Sequence, residues 1–325
     1  MQAAEIVGNW QLGEIESIKP VGKGLINATF KVQAGHGKFA MQQLHEIIPK
    51  EAVADMLTVT NYLAEQGVRV PKLLLTENGQ PSALANDGSR WRVYPWLEGV
   101  VVEAVADEAM AREAGRMVGV MHGLLAKLDY RPTGSIPHFH DTPFILSELQ
   151  SVMGDLPEDL KNVADDVVTT ATSLLIDGNQ QPKQIIHGDL KISNLLFNGE
   201  GVAVGVIDFD TILWHFPAID LGDALRSWCN RTSEDDVTAV LDRDLCAAAL
   251  VGYAEGLGRE LMNGEQSLYL QATKLIALEL TARFLIDVVR DNYFGYDAER
   301  YDSRQSHNRA RALGQYHLAR SIELI

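Results

Sequence analysis

Residues 185–210 read IIHGDLKISNLLFNGEGVAVGVIDFD, and no other stretch restricts the fold of this chain as much. Two apolar runs, LLF and VAVGVI, are separated by Asn198-Gly199 and Glu200-Gly201. Asn-Gly between apolar runs signals a hairpin, because the tight turns that match strand twist need positive φ. If the runs pair antiparallel, both outer ends of the hairpin reach one edge. Asn194 leaves one end and Asp208 the other, so an amide oxygen and a carboxylate meet there. Both are hard oxygen ligands of the kind Mg²⁺ takes. Asp189 precedes Asn194 by five residues on a tight loop, and Lys191 adds a cation to it. These groups equip a site for moving a phosphoryl group, a reaction that needs positioning and charge neutralisation more than covalent chemistry. In this reading Asp189 takes or orients the proton of an attacking hydroxyl. Asn194 and Asp208 hold Mg²⁺ against nucleotide phosphates, and Lys191 balances charge on the transferred group.

The surroundings change character once along the chain. EIESIKPV and ATFKVQA alternate, KFAMQQL is a short apolar run, and SRWRVYPWL is aromatic and β-branched, all strand signals. One helix is expected among them, over 50–66, stopped by Gly67 with Pro71 beyond. After Gly99 the apolar residues recur at three- and four-residue spacings over 104–128, 158–176, 237–257 and 265–290. In the last of these, Leu268, Ala272, Leu275, Leu278, Ala282, Leu285 and Val289 form one stripe. The expected architecture is α+β. A small sheet-rich N-terminal lobe over 1–98, with a hinge near 94–99, precedes a larger helical C-terminal lobe over 99–325.

The formal net charge of −16 argues against a nucleic-acid partner, whose phosphates most of this surface would repel. Cys229 and Cys246 are too few for a disulfide framework, and no C-x-x-C pair points to zinc. No basic leader with an apolar core opens the sequence, and no apolar run approaches membrane-spanning length. The expectation is a soluble cytoplasmic protein.

HGDLKISN followed by VIDFD resembles the catalytic loop and metal-binding segment of the protein-kinase-like superfamily, in particular of the aminoglycoside phosphotransferase and choline kinase family. GKGLINATFKV, FAMQQL, RWRVYPWLEG, IPHFHDT, VIDFDTILWHFPAIDLGDALR, RFLIDVV and HNRARAL are together similar to its N-acetylhexosamine 1-kinase branch. The resemblance implies a protein-kinase-like two-lobed fold, ATP as phosphoryl donor and a small-molecule acceptor. The sharpest acceptor it suggests is an N-acetylhexosamine phosphorylated at the anomeric hydroxyl. An aminoglycoside, a choline-like amine or an amino alcohol is the alternative, and a nucleotide-binding pseudokinase is a reading of another class.

Under this likeness Gly22, Lys23 and Gly24 belong to a turn over the phosphates, with Asn27 where kinases place a third glycine. Gln42, or Gln43 with a one-residue slip, stands where kinases carry a phosphate-holding lysine. Glu51 and Asp55 are the helix acids available as its partner. Either Lys191 or Lys23 compensates for the missing charge, or nucleotide affinity is weak, or catalysis is lost. The intact Asp189, Asn194 and Asp208 favour compensation. Pro95 lacks an N–H, so Trp96 or Leu97 would supply the backbone donor to adenine. His187 braces the loop, and His138 and His140 belong to a loop near the acceptor. Asp220 and Asp223 are available to brace the catalytic loop, and Arg226 either pairs with one of them or lies with Asp223 toward the acceptor. Asp220 reads most simply as a helix cap.

Overall fold

The computed structural model describes residues 2–21 and 27–324. After a short helix α1 (Gln2–Ile6) come β1 (Ile15–Pro20), β2 (Ala28–Ala34), β3 (Gly37–Leu44), α2 (Lys50–Glu65), β4 (Ala83–Leu84) and β5 (Arg90–Pro95). The strands form one antiparallel sheet in the order β1-β2-β3-β5-β4. Side chains alternate across a strand, so β3 divides its residues between two environments. Phe39 and Met41 join Trp10, Leu12, Trp91 and Val93 in a core on one face. The other face carries Gln42 opposite Arg92 of β5 and Leu44 opposite Arg90.

The remainder is mainly helical: α3 (Glu108–Leu125), α4 (Thr142–Val152), α5 (Glu158–Ser173), then β6 (Gln184–Ile186), β7 (Leu195–Phe197), β8 (Ala203–Val206) and β9 (Leu213–His215). Helices α6 (Pro217–Trp228), α7 (Arg243–Leu257), α8 (Glu265–Arg290) and α9 (Arg304–Ser321) complete the chain. β7 pairs with β8, and β6 with β9, as two separate ribbons. One apolar core runs from Val53, Met56 and Val59 of α2 through Val118 and Met121 of α3 and Leu195 of the hairpin to Leu225 and Leu245. A second surrounds α8.

This is the α+β, protein-kinase-like arrangement expected, with the sheet first and the helices after it. The helix expected over 237–257 begins late, at Arg243, because the Asp242 side chain caps it by accepting the N–H groups of Asp244 and Leu245. Helix α8 is buried on more than its expected stripe: Leu270, Thr273, Ile276 and Phe284 are inside as well, since α4, α5, α6 and α9 all pack on it. Among the described residues no helix is long and apolar enough to cross a membrane.

Candidate active site

The hairpin forms as its turn residues require. The Asn198 side-chain oxygen accepts the N–H groups of Glu200 at 3.0 Å and Val202 at 2.9 Å, and Gly201 takes φ +79°. Leu195 then faces Val206, and Ile207 N–H donates to Asn194 O at 2.9 Å. Asn194 and the residue before Asp208 are therefore adjoining. Asp208 itself sits at φ +68°, a left-handed conformation that a non-glycine residue adopts only where its surroundings impose it.

The loop before β7 is fixed by its own polar groups. His187 Nδ1 accepts Asp189 N–H at 3.2 Å, while its Nε2 donates to Ile207 O at 2.9 Å. The imidazole thus ties the loop to the strand that ends at Asp208, the bracing role expected of it. Asn194 Nδ2 donates to the Asp189 carbonyl at 2.8 Å and to its carboxylate at 3.1 Å. Lys191 Nζ lies 2.8 Å from the same carboxylate oxygen, Oδ2.

Charge is unevenly compensated across this cluster. Burial works against the ionised form of Asp189, but Lys191, His187 and Arg226 outweigh it and hold the carboxyl below its ordinary range. Asp208 is the opposite case. Burial, then the negative charges of Asp210 and Asp189, push it up to about 6. Among the described residues no side chain or backbone N–H donates to the Asp208 carboxylate or to the Asn194 amide oxygen. Two hard oxygen-bearing groups without donors, beside crowded carboxylates, form a donor set that fits a divalent cation.

On the sheet side Gln42 does not face the cleft as an open donor. Its Nε2 donates to Thr29 Oγ1 at 3.0 Å, and its Oε1 accepts from Arg92. Neither candidate acid of α2, Glu51 or Asp55, pairs with it. Glu51 is exposed beside Lys50, and Asp55 accepts Tyr130 OH and the N–H groups of Thr133 and Gly134. The Trp96 expectation also needs correction: its N–H is used by Lys38 O at 2.9 Å, extending the β3–β5 pairing. Leu97 keeps the open N–H of the pair among the described residues. Gly22, Lys23 and Gly24 lie outside the described residues.

Residues 17–258 match the phosphotransferase enzyme family. The chain belongs to that family. A homoserine kinase of Pseudomonas aeruginosa strain LESB58 is 26% identical over 247 residues, 75% of this chain and 73% of that protein. Among solved structures, a microcompartment-associated aminopropanol kinase superposes with a TM-score of 0.71 at 17% identity, covering 100% of this chain and 98% of its own. An amicoumacin kinase in complex with AMP-PNP, Ca²⁺ and Ami gives 0.68 at 16% identity, covering 96% of this chain and 91% of its own. The fold is the one these enzymes share, and this chain is a small-molecule phosphotransferase. The N-acetylhexosamine branch expected from the sequence is not confirmed by these relatives.

For several residues of this phosphotransferase the structure distinguishes between the roles the sequence left open. Asp220 is not a helix cap: α6 starts at Pro217, and both Asp220 oxygens accept loop N–H groups, His187 and Gly188, each at 2.8 Å. Asp223 is buried and Arg226 partly buried, and they bind each other at 2.9 Å, the pairing that is one of the two roles expected of Arg226. His138 and His140 would share a face of an extended segment, yet both take left-handed φ, 56° and 54°. His138 pairs with Asp141, whereas His140 reaches Glu279 and Gly188 O, each at 2.9 Å. The long sequence separation of His140 from its partners, 139 positions from Glu279 and 48 from Gly188, hides that contact. A cavity of about 790 Å³ shares His140 in its wall and is otherwise lined by residues such as Arg131, Phe139, Lys183, Trp214 and His215. None of the residues expected to carry phosphoryl transfer, Asp189, Lys191, Asn194 and Asp208, lines it.

Proposed function

We propose that this phosphotransferase moves the γ-phosphoryl group of ATP, with Mg²⁺, to a hydroxyl of a small neutral or zwitterionic acceptor. The observation carrying this reading is the meeting of Asp189, Lys191 and Asn194 with the segment of Asp208, the Asn194 amide oxygen and the Asp208 carboxylate being left without donors among the described residues. Asp189, ionised at neutral pH, orients the acceptor hydroxyl and takes its proton as the new O–P bond forms and the bond to the bridging oxygen of ADP breaks. Lys191 steadies that carboxylate and stands where charge on the moving group needs balancing. Asn194 holds the loop through its nitrogen and offers its oxygen, with Asp208, to the metal. When bound there, Mg²⁺ would neutralise the nucleotide phosphates. A pseudokinase would have no use for the whole set.

Acceptor charge follows from how the neighbouring carboxylates are spent. Asp223 is paired with Arg226, Glu279 with His140 and Thr142, and Asp220 with two loop amides and His122. A polycationic aminoglycoside or a choline-like amine gains little from carboxylates already paired, whereas a sugar or a hydroxy amino acid has no need of a free one. The homoserine kinase relatives support the amino acid; the segments similar to the N-acetylhexosamine branch support the anomeric hydroxyl of a sugar.

Coupled detection of ADP across N-acetylhexosamines, homoserine, aminopropanol, choline and an aminoglycoside tests this. Mg²⁺-dependent release with a sugar or homoserine, at least about ten times that with choline or the aminoglycoside, is expected; a tenfold ratio is about 1.4 kcal/mol of discrimination. Turnover confined to the cationic acceptors would contradict the acceptor reading. No turnover with any acceptor would contradict the kinase reading.

A further inference from the structure

Protein kinases align the nucleotide with a strand lysine paired to a helix glutamate. This chain has glutamine at that strand position, yet the sheet register places a different cation beside it. Gln42 of β3 lies opposite Arg92 of β5, and directly opposed residues share a face of the sheet. Gln42 Oε1 accepts from Arg92 Nε at 2.9 Å and from Nη2 at 2.6 Å. Nη2 also donates to Asp210 Oδ2 at 2.9 Å, and Nη1 donates to Asp210 Oδ1 and to Met56 Sδ, the latter at 3.0 Å.

A guanidinium has five N–H donors, and here the protein takes all of them. Arg92 has none left for a phosphate oxygen, and its side chain is 1% exposed against 7% for Asp210. Asn27, at the entry to β2, adds a third donor: its Nδ2 reaches Asp210 Oδ2 at 2.5 Å, while its Oδ1 accepts His45 N–H at 3.0 Å. One carboxylate, two residues beyond Asp208, thus gathers β5 and the start of β2, with α2 attached through Met56.

We propose that Asp210 is a positioning residue, the latch by which Arg92 and Asn27 hold the Asp208 segment in register with the sheet. The cross-strand arginine does the aligning work of the kinase lysine–glutamate pair, while touching no nucleotide. The proposal extends the Mg²⁺–nucleotide reading above and rests on it for its consequence, but the latch itself exists without ligand. Removing one partner strands a buried charge, so either single change should cost at least as much as removing both.

The test compares wild type with Arg92→Gln, Asp210→Asn, the double variant and Asn27→Ala. Two readouts are used: amide hydrogen exchange of segment 207–213 in the nucleotide-free protein, and calorimetric affinity for AMP-PNP with Mg²⁺. In each charge-pair single variant the segment should exchange about tenfold faster or more, as local opening becomes easier. AMP-PNP affinity should fall about 10–100-fold, the usual effect of losing an outer-shell partner of a metal ligand, with the double variant no worse than either single. Asn27→Ala, which removes no charge and so guards against outright unfolding, should shift both readouts in the same direction by about 3-fold or more. Wild-type exchange and affinity in the folded variants would overturn the latch. Wild-type protein that fails to bind Mg²⁺–AMP-PNP, yet shows faster exchange in the variants, would keep the latch and overturn the kinase reading.

Discussion

Asp189 and His140 are joined by one short link of backbone, and their charges explain much of the site. Asp189→Ala should leave the melting temperature and AMP-PNP affinity close to wild type while lowering turnover about 10²–10⁴-fold, the reach of acid–base catalysis. Unchanged turnover would remove Asp189 from the chemistry. His140 meets only acceptors, Glu279 Oε1 at one nitrogen and Gly188 O at the other, so both nitrogens carry protons and the ring is an imidazolium. Burial opposes that charge, but Glu279, with Asp223 and the Gly188 carbonyl, prevails and raises the group to about 9. His215 nearby is pushed down to about 4, by burial and then by the charge of His140, and stays neutral. A raised basic group stabilises the fold fully below its ordinary value of 6.5 and loses that contribution as pH rises through about 9. The melting-temperature gap between wild type and His140→Gln should therefore be widest near pH 6 and narrow toward pH 10. A gap that is constant over this range would contradict the buried imidazolium.

Among the elements, α3 and α7 meet through glycines on both helices. A Cβ at Gly115 or Gly119 would lie 2.0 Å or 2.2 Å from the carbonyl oxygens of Ala249 and Tyr253. At Gly252 or Gly256 it would lie 1.9 Å or 2.1 Å from those of Arg112 and Arg116. Backbone cannot yield as a flexible side chain can, so Gly252→Ala should cost about 1–3 kcal/mol or more through overpacking. The urea midpoint reads this directly; a midpoint equal to wild type would mean that the helices separate freely.

Elements also differ in how plainly the sequence announces them. Local signals carried well: α2, α8 and the β7–β8 hairpin were marked by stop residues, apolar spacing and Asn-Gly. Helices α4 and α9 were not foreseen, and α6 only as a helix capped by Asp220, three residues later than its start at Pro217. Helix α6 lies inside VIDFDTILWHFPAIDLGDALR, whose buried Asp220 and Asp223 interrupt the apolar pattern that reveals a helix. In the candidate site, the meeting of Asp189, Lys191 and Asn194 with the Asp208 segment was readable because a hairpin brings sequence neighbours together. Arg92 was not, because its pairing with Asp210 spans 118 positions and depends on strand order, which local patterns do not encode.

Across the full structure, the sheet and the helices are not independent bodies. The core that contains Met56 and Leu63 of α2 also contains Met121, Leu195 and Leu225. The buried Arg92–Asp210 pair crosses the same boundary. The Asp208 segment is thus held against the sheet by one continuous packed framework. The Asp208 carboxylate has no donor among the described residues. It should take a divalent metal that brings nucleotide with it. The decisive measurement is calorimetric titration of AMP-PNP into wild type and Asp208→Asn, each with and without Mg²⁺. Wild type should bind tightly only with Mg²⁺, and the substitution should weaken that binding at least about 10-fold. Equal affinity in all four titrations would refute the metal site at Asp208.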